Sequence, residues 1–568
     1  MDISPNDFHG IRWTLAPGIH LDVLQKILLG PGGIPMEDWN HAGFVSLIKS
    51  GPHRSVYRIC LPNLDLHLKH NRIQGFKTWI REWGRVPKAS KEYQIALHLK
   101  KLAIPAIEPL AFGTRGGLRP DSFLLTRTLP LSRPLDAVFL DSLNHGKAKF
   151  KDMAFLIRSL AKFIAVIHQK GIIHRDFHLG NILLSETVPG TLGFFLVDLE
   201  PLAIGERPVP WDKRVLNLAV LNCWADLHLP RSWRYCFWQS YLREVQREKL
   251  PQVFAEDREW RRFQLKQMAL LTAGVNRKLW NKFDGRCLGV NRRFRKIQSG
   301  CFHGHVSALV PMGEIEKWLE MARQEIPQGV VLKNSRSSLV VDFNPSIGVG
   351  QSLIFKKFKA KEWLDPLAAL FRPDGATRSW TMGNAMLHRL LPTPRPLAVW
   401  HRWKFGLPQD GFLVSEKVAG AMHLLDWLSH LRTFPEEIFV PGVRVLIDRL
   451  GDLIRRMHDR GISHRDLKAP NLLVNGKAID PKLWFIDLVG VQKHGSLGEK
   501  RKMQNLARLN VSFLINRGIT HSDRLRFLRQ YLKWGLEGPF TWKKWWREIS
   551  KLSLFKMEKN RLSNRPLA

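Results

Sequence analysis

The sequence predicts an α+β protein made of two tandem bilobed domains, each with a small β-rich N-lobe and a mostly helical C-lobe. The first observation is length, because 568 residues exceed what one core holds and suggest about three or four domains. The second is an internal repeat: GIIHRDFHLGN at 171–181 returns as GISHRDLKAPN at 461–471, roughly 290 positions later. The third is context, since a helical apolar pattern precedes each copy and a short apolar run ending in aspartate follows it.

Composition and turn signals set the expected boundaries. A stretch rich in Arg, Lys and aromatic residues at 255–299 is interpreted as the junction. The first domain is predicted over 1–290, with an N-lobe at about 40–128, a C-lobe at about 129–260 and a basic connector to about 299. The second is predicted over 300–568, with an N-lobe at about 328–418, a C-lobe at about 419–540 and a basic aromatic C-terminal helix. A short lead-in helix is expected in LDVLQKILL, residues 21–29.

The repeated motif carries the residue types that phosphoryl transfer needs. In the second copy, Asp466 would accept or orient the proton of an attacking hydroxyl, while Asn471 and Asp487 would hold Mg²⁺ against nucleotide phosphates. A lone HRD tripeptide is a weak signal, but HRDxxxxN with a strand-borne aspartate at this spacing, occurring twice, is a strong one. The corresponding residues of the first copy are Asp176, Asn181 and Asp198.

Two strand lysines complete the predicted nucleotide sites. Lys69 in LDLHLKH would reach the α- and β-phosphates, with Glu92 of the following helix holding it in place. The alternatives are an ordinary exposed strand lysine and an ordinary helix glutamate. In SLIFKKFK, alternation favours Lys356 over Lys357 for the same role. A Thr or Ser stands where the second helix would carry its glutamate, so a lysine–glutamate pair is in doubt there.

The charge balance predicts a polyanionic partner. The chain has 88 Lys+Arg against 50 Asp+Glu, a formal net charge of +38. Nucleic acid, acidic phospholipid and an acidic glycolipid fit this charge, and a solvated basic surface is the simpler reading. Nucleic acid is disfavoured because no nucleic-acid motif accompanies the basic stretch, so an anionic membrane surface is preferred. Near the C-terminus, Trp542, Trp545 and Trp546 among lysines fit either an interfacial helix or a helix packed on its own domain.

Cysteine usage and hydropathy predict the compartment. The five cysteines are widely spaced and form no CxxC pair, which disfavours a disulfide framework or a zinc site and favours a reducing cytosol. The N-terminal residues lack the pattern of a secretory signal, and no apolar stretch reaches the length of a membrane span. The expected location is cytoplasmic, peripheral to the inner face of the plasma membrane.

These motifs resemble one known family. HRDFHLGN…VDLE and HRDLKAPN…IDLVG, together with LIFKKF, PTPRPLA and RLRFLRQYL, resemble the bacterial lipopolysaccharide core kinases, which are the Kdo and heptose kinases. The resemblance implies a protein-kinase-like fold in tandem duplication, ATP with Mg²⁺ or Mn²⁺, and transfer to a sugar hydroxyl of the lipid A–core at the inner membrane. The implied roles are catalytic base for Asp176 and Asp466, metal ligand for Asn181, Asp198, Asn471 and Asp487, and phosphate contact for Lys69 and Lys356.

Other readings of the motifs stay open. A Ser/Thr protein kinase would use Lys468, two residues after Asp466, beside the transferred phosphate, but no APE-like segment follows either metal aspartate. A further possibility is that one or both units are pseudokinases that serve as a scaffold. The missing glutamate of the second unit favours this, as do the sequences DLE and DLV, which stand where ordinary protein kinases carry Asp-Phe-Gly. His178 is a mild hint of an antibiotic-type kinase.

Overall fold

The computed structural model describes residues 7–8, 10–19, 43–51, 53–61, 64–73, 79–80, 84–115, 121–145, 150–188, 191–248, 256–325, 327–343, 352–359, 372–514, 519–533 and 541–563. The protein mixes helices and strands, and it divides into two compact units, Met1–Val275 and Asn276–Ala568. The helix expected at 21–29 lies outside the described residues.

The first unit opens with a seven-stranded sheet in which all neighbouring strands are antiparallel. Burial alternates along the second strand, where Ile11 and Trp13 lie in the core. Helix Lys88–Lys101 packs on the sheet through its buried face, and Tyr93 of that helix donates a hydrogen bond to the carbonyl of Leu15 at 2.7 Å. In spatial order the strands are Asp7–Phe8, Ile11–Leu15, Pro109–Arg115, Asp121–Arg127, Leu64–Asn71, Arg54–Leu61 and Val45–Ser50.

The remainder of the first unit is mostly helical. Helix Phe150–Gln169 has apolar residues at helical spacing, and Leu160, Ile164 and Ile167 of that stripe are buried in the unit's main core. The helices are Leu135–His145, Phe150–Gln169, Trp211–His228, Arg231–Arg247 and Arg258–Asp284, the last of which crosses the division at Val275. This part of the unit also contains the short strands Ser132–Pro134, Ile172–His174, Ile182–Val188, Thr191–Leu196 and Leu202–Ile204 and the 3₁₀ turn Leu179–Asn181.

The second unit repeats this arrangement. Its seven-stranded sheet has the same spatial order as the first when the strands of each unit are counted along the chain. In that order the strands are Phe294–Ser299, Phe302–Ser307, Pro396–Lys404, Leu407–Glu416, Leu353–Phe358, Ser338–Phe343 and Val330–Asn334. The helices are Met312–Arg323, Gly375–His388, Leu424–Leu431, Glu436–Asp459, Glu499–Leu514, His521–Leu532 and Thr541–Leu562. The shorter elements are Gly285–Leu288, Met422–His423, Ile462–His464, Ala469–Asn471, Leu472–Lys477, Asp480–Phe485, Leu488–Gly490 and Val491–Lys493.

The sheets and the division lie earlier in the chain than the sequence indicated. The first sheet begins at Asp7, not near residue 40, and the second begins at Phe294, not near residue 328. The division falls at Val275, whereas the junction was placed at 290–299. The physical reason is Asp284, which accepts hydrogen bonds from Arg389 at 2.8 and 3.0 Å and from Lys493 at 2.9 Å, so the end of its helix belongs to the second unit.

The C-terminal helix packs against its own unit. Trp545 is only 2% exposed and lies with Ile549 in the second unit's main core, and Trp546 contacts that core. This favours the packing reading of the tryptophans over the interfacial one. In the part of the chain that the structure describes, none of the helices has both the length and the apolar character needed to cross a membrane.

Candidate active site

Each unit presents its HRD segment on the same kind of loop. In the first unit the loop follows strand Ile172–His174, and the side chain of Asn181 donates to the carbonyl oxygen of Asp176 at 2.9 Å. His174, which is buried, accepts at Nδ1 from the backbone N–H of Asp176 at 3.2 Å. These bonds fix the backbone on both sides of the aspartate, so its carboxylate is presented by a rigid turn.

The second unit repeats these bonds and adds contacts to the carboxylate itself. Asn471 donates to the carbonyl oxygen of Asp466 at 2.8 Å and to its Oδ2 at 3.1 Å. Lys468 Nζ lies 3.3 Å from the same carboxylate oxygen. His464 accepts from the backbone N–H of Asp466 at 3.2 Å. The side chain of Asp466 is 55% exposed, so it is held in position and still open to an incoming hydroxyl group.

A buried histidine, a tyrosine and an asparagine support the first loop. His168 contacts the Tyr241 hydroxyl at 2.7 Å and Asn217 Oδ1 at 3.1 Å. Asn217 Nδ2 then donates to the carbonyl of His174 at 2.7 Å. Burial lowers the pKa of His168 to about 3, so the ring is neutral at pH 7. This network was not predicted, because its members lie far apart in sequence.

The second unit has the matching network. His458 contacts the Tyr531 hydroxyl at 2.8 Å and Asn505 Oδ1 at 3.5 Å, and burial lowers its pKa to about 3. Asn505 Oδ1 also accepts from the backbone N–H of His464 at 2.8 Å. The histidine that precedes each HRD segment (IHQKG, MHDRG) was the available signal, but it names only one member of each network.

The aspartate after the strand has unusual backbone geometry in both units. Asp198 has φ 55° and Asp487 has φ 56°, a left-handed conformation that is uncommon for residues other than glycine. The residue before each aspartate donates its N–H to the loop asparagine's carbonyl: Val197 to Asn181 and Ile486 to Asn471, both at 3.0 Å. This bond joins the loop to the strand end, which brings the predicted metal residues together.

In the first unit Asp198 is bound by cations. Arg54 donates to both of its carboxylate oxygens, at 2.8 and 3.2 Å, and Lys69 Nζ lies 3.9 Å away. Lys69 also donates to Glu92 at 2.5 Å, and Glu92 accepts from the backbone N–H of Leu199 at 3.1 Å. Burial opposes ionisation of Asp198, but the hydrogen bond from Arg54 and the charge of Lys69 outweigh it and lower the pKa to about 2.

The second unit has a simpler arrangement. Lys356 donates directly to Asp487 at 2.9 Å, whereas Lys357 lies 3.5 Å from Asp410. Burial opposes ionisation of Asp487, and the charge and hydrogen bond of Lys356 outweigh it, so the pKa of this carboxyl is lowered. Alternation along the strand therefore selects the lysine that reaches the loop side.

Register and backbone bonds identify what replaces Arg54 and Glu92. Val340 lies opposite Lys356 as Val56 lies opposite Lys69, so Ser338 takes the place of Arg54. For the helix, the carbonyl oxygens of Pro105 and Pro392 accept matching strand hydrogen bonds, from Leu196 and Phe485. Counting back equally from these prolines places Ser379 at the position of Glu92, and its hydroxyl bonds to its own helix at Gly375.

The residues present fit a divalent cation bound together with phosphates. In the described ranges there is no cluster of three or more His, Cys, Asp or Glu residues that would hold a metal alone. Asn471 uses Nδ2 for its two side-chain bonds, and its backbone carbonyl accepts from Ile486, the residue before Asp487. One carboxylate and one amide oxygen suit Mg²⁺, which binds few protein groups and fills its shell with water and substrate phosphate. In the first unit Arg54 already donates to both carboxylate oxygens of Asp198, so a cation bound there would compete with these hydrogen bonds.

Comparison with known protein families gives a match in each of the two repeated units. The model of the lipopolysaccharide kinase (Kdo/WaaP) family matches residues 65–222 and 358–531, more than half of the chain. The 3-deoxy-D-manno-octulosonic acid kinase of Haemophilus influenzae (strain 86-028NP) is 34% identical over 124 residues, which are 22% of this chain and 47% of that kinase. Against this relative, the chain spans about half of the kinase's length.

Two further proteins are similar to parts of this chain. The lipopolysaccharide core heptose(I) kinase WaaP of Escherichia coli (strain K12) is 28% identical over 194 residues, 32% of this chain and 71% of that kinase. Among solved structures, WaaP in complex with acyl carrier protein is matched at 22% identity and a TM-score of 0.32, covering 41% of this chain and 88% of that one. The resemblance seen in the motifs is confirmed: this chain belongs to the lipopolysaccharide kinase (Kdo/WaaP) family.

Proposed function

We propose that this chain is an ATP-dependent kinase that transfers a phosphoryl group to a sugar hydroxyl of the lipopolysaccharide inner core, on Kdo or heptose. One observation carries the proposal. In each unit a strand lysine reaches a left-handed aspartate, and a backbone bond joins that aspartate's strand to a loop that pairs a second aspartate with an asparagine. The acceptor class is supported by the printed names of the relatives, which are kinases of 3-deoxy-D-manno-octulosonic acid and of core heptose.

In this proposal each unit is a bilobed, protein-kinase-like domain. The seven-stranded sheet with its helix forms the N-lobe and the helical remainder forms the C-lobe. The strand lysine comes from the sheet, while the HRD loop and the left-handed aspartate come from the helical part. A nucleotide held between them would meet positive charge on one side and carboxylates on the other, the division of labour that phosphoryl transfer requires.

The roles in the second unit follow from its contacts. Asp466 is the proton acceptor for the sugar hydroxyl, because Asn471 orients its carboxylate and one side remains open. Lys468, 3.3 Å from that carboxylate, supplies charge to the phosphoryl group in transit. Lys356 leaves Asp487 to bind the nucleotide phosphates. Asn471 and Asp487 hold the divalent cation, Mg²⁺ or Mn²⁺, which when bound neutralises phosphate charge.

The roles in the first unit are parallel. Asp176 is the proton acceptor, Asn181 and Asp198 hold the cation, and Lys69 contacts the phosphates. Glu92 positions Lys69 through a buried ion pair. A pseudokinase scaffold is a second candidate for this unit, favoured by the two bonds from Arg54 that occupy both oxygens of Asp198.

The charge of the chain supports a location at an anionic leaflet. The excess of basic residues gives +38, and each basic residue near an anionic surface contributes about 1 kcal/mol to binding. We infer that the enzyme works in the cytoplasm, peripheral to the inner face of the plasma membrane. Co-sedimentation with liposomes tests this: binding should require anionic lipid, and equal binding to neutral liposomes would contradict it.

Label transfer from radiolabelled ATP into purified lipopolysaccharide precursor tests the proposed activity. We expect Asp176→Ala and Asp466→Ala each to remove the contribution of one unit, and the double variant to lose roughly 10²–10⁴-fold, the usual effect of a proton-transfer group. Asp480→Ala is the control, because that side chain is 57% exposed and pairs with Arg449. Full activity of the double variant, or label found only in a general protein substrate, would overturn the proposal. A single variant that abolishes transfer would identify the other unit as a scaffold.

A further inference from the structure

A helix of the second unit forms hydrogen bonds with the HRD loop at two points. In Glu499–Leu514, Asn505 accepts from the backbone N–H of His464 at 2.8 Å, and Ser512 accepts from the backbone N–H of Ala469 at 3.1 Å. Arg508 lies three residues after Asn505 and four before Ser512, so all three side chains share one face of the helix. The two anchored points bracket the catalytic segment, and Arg508 therefore faces the residues between them.

Positive charge exceeds negative charge at this position. Lys468 lies 3.3 Å from the carboxylate of Asp466, and Arg508 lies close enough to both Arg465 and Asp466 for their charges to act on it. Arg508 is half-buried, and within the described part of the chain no carboxylate forms a hydrogen bond or ion pair with it or with Arg465. Burial lowers the pKa of Arg508, and the nearby charge of Arg465 lowers it further while Asp466 opposes the change. Two guanidinium groups without a carboxylate hydrogen-bond partner, at a partly open site, favour the binding of an anion.

The first unit lacks this charge. Asn217 holds the carbonyl of His174 at 2.7 Å, as Asn505 holds the other loop, and the residue three positions later is Val220. Val220 packs against the first unit's main core. At the position of Lys468 the first unit has His178. Two of the three cations around the catalytic aspartate are therefore specific to the second unit.

We propose that Arg508 is a specificity-determining residue of the second unit, which, with Arg465, binds an anionic group of the acceptor beside the hydroxyl that Asp466 deprotonates. The inference rests on the proposed function, because it takes the acceptor to enter at Asp466. The anionic group is a carboxylate or a phosphate ester. The first unit, with Val220 and His178, does not require it.

Acceptor kinetics of a chain carrying Asp176→Asn, in which only the second unit turns over, test the inference. The probe is an inner-core oligosaccharide with its carboxylates and phosphates, compared with carboxyl-reduced and dephosphorylated forms. We expect Arg508→Val to raise the acceptor KM roughly 10–100-fold, the range for a lost hydrogen bond to a charged group, with kcat and the KM for ATP little changed. Arg508→Lys should recover part of the loss. If wild type and Arg508→Val have the same KM for the carboxyl-reduced form, the anion is a carboxylate. If they have the same KM for the dephosphorylated form, the anion is a phosphate ester.

Four outcomes separate the possibilities. Equal acceptor KM in wild type and Arg508→Val, or a parallel loss of kcat and ATP affinity that Arg508→Lys does not repair, would overturn the inference. Arg529→Val is the control for net charge, because it removes one exposed positive charge from the next helix along the chain. Calorimetric binding of the same oligosaccharide to the nucleotide-free chain needs no turnover. If Arg508→Val binds the oligosaccharide more weakly and no variant transfers label, the proposed function is overturned and the inference about Arg508 is supported. If Arg508→Val binds the oligosaccharide as tightly as the wild type, the inference about Arg508 is overturned.

Discussion

The two units share a backbone and differ in their charges. Both place an aspartate in the left-handed region at φ 55–56°, and both tie it to the loop asparagine through the same bond. Around that frame, the first unit has a Lys69–Glu92 pair and an Arg54–Asp198 pair, whereas in the second Lys356 pairs directly with Asp487. The hydrogen-bonded frame is thus the part the repeats share, and the ionic contacts are the part that varies between them.

This difference has an energetic consequence. A buried ion pair leaves an uncompensated charge when one partner is removed, while a partly exposed pair is screened by water. Glu92 is 3% exposed, but the side chain of Asp487 is 39% exposed. The lysines that share a predicted role should therefore contribute unequally to stability.

The largest expected effect is on the first unit's stability. Lys69→Met should lower its free energy of unfolding by roughly 3–5 kcal/mol, because Glu92 is left buried and unpaired. Lys356→Met should cost the second unit only about 0–1 kcal/mol. Denaturant-dependent hydrogen exchange, followed on strands Asp121–Arg127 and Leu407–Glu416, reports on each unit separately.

The double variant Lys69→Met/Glu92→Leu is the control, and it should recover most of the lost stability because no charge is stranded. Equal losses in Lys69→Met and Lys356→Met would remove the stated difference between the units.

The next effect concerns cation binding in the first unit. Arg54→Ser installs the residue that the second unit has at this strand position, frees both oxygens of Asp198 and raises its pKa toward the ordinary range. We expect Mn²⁺ to bind roughly 10-fold more tightly with a non-hydrolysable ATP analogue, since a hydrogen bond to a charged group no longer competes. Electron paramagnetic resonance of free Mn²⁺, in a chain carrying Asp487→Asn, measures this.

Arg58→Ser serves as the matched control, because Arg58 also forms a two-bond pair with a carboxylate, Asp65, but at an exposed position. Weaker Mn²⁺ binding in Arg54→Ser would mean that Arg54 contacts phosphate and does not compete with the cation.

The smallest effect is one that the units share. His168 and His458 are buried and neutral, with pKa values of about 3 against an ordinary value of 6.5. The unfolded chain therefore binds more protons below pH 6.5, and stability that is full above this pH is lost as the pH falls toward 3. At pH 5.5 the loss should be about 1 kcal/mol for each histidine.

Thermal unfolding at pH 7.5 and pH 5.5 tests this shared property. The pH dependence should shrink in His168→Gln/His458→Gln. An unchanged pH dependence in this double variant would show that other groups dominate acid sensitivity.

Much of the candidate site could be predicted because its chemistry lies in short stretches. HRDxxxxN and the strand-borne aspartate are local patterns, and alternation pointed to Lys69 and to Lys356 over Lys357. The structure places all ten predicted residues in two clusters, one in each unit, and their roles stay predictions. The sequence pattern was sufficient to predict site residues where a single strand or loop carries several of them.

The remainder depends on contacts between distant parts of the chain. Arg54 meets Asp198 across 144 positions, and Asn217 meets His174 across 43, so neither pair leaves a local signal. The first strands of both sheets were missed because Ile11–Leu15 and Phe302–Ser307 pair with strands much later in the chain. The observed division differs from the predicted boundary because Asp284 forms ion pairs with Arg389 and Lys493. No change in composition along the sequence reveals these pairs.

The number of nucleotide sites tests the central claim most directly. Isothermal titration of the manganese complex of a non-hydrolysable ATP analogue should find two sites in the wild-type chain, one in Asp198→Asn, one in Asp487→Asn and none in the double variant. A site number that stays the same in all four proteins would contradict the claim that each unit binds metal–nucleotide at its left-handed aspartate.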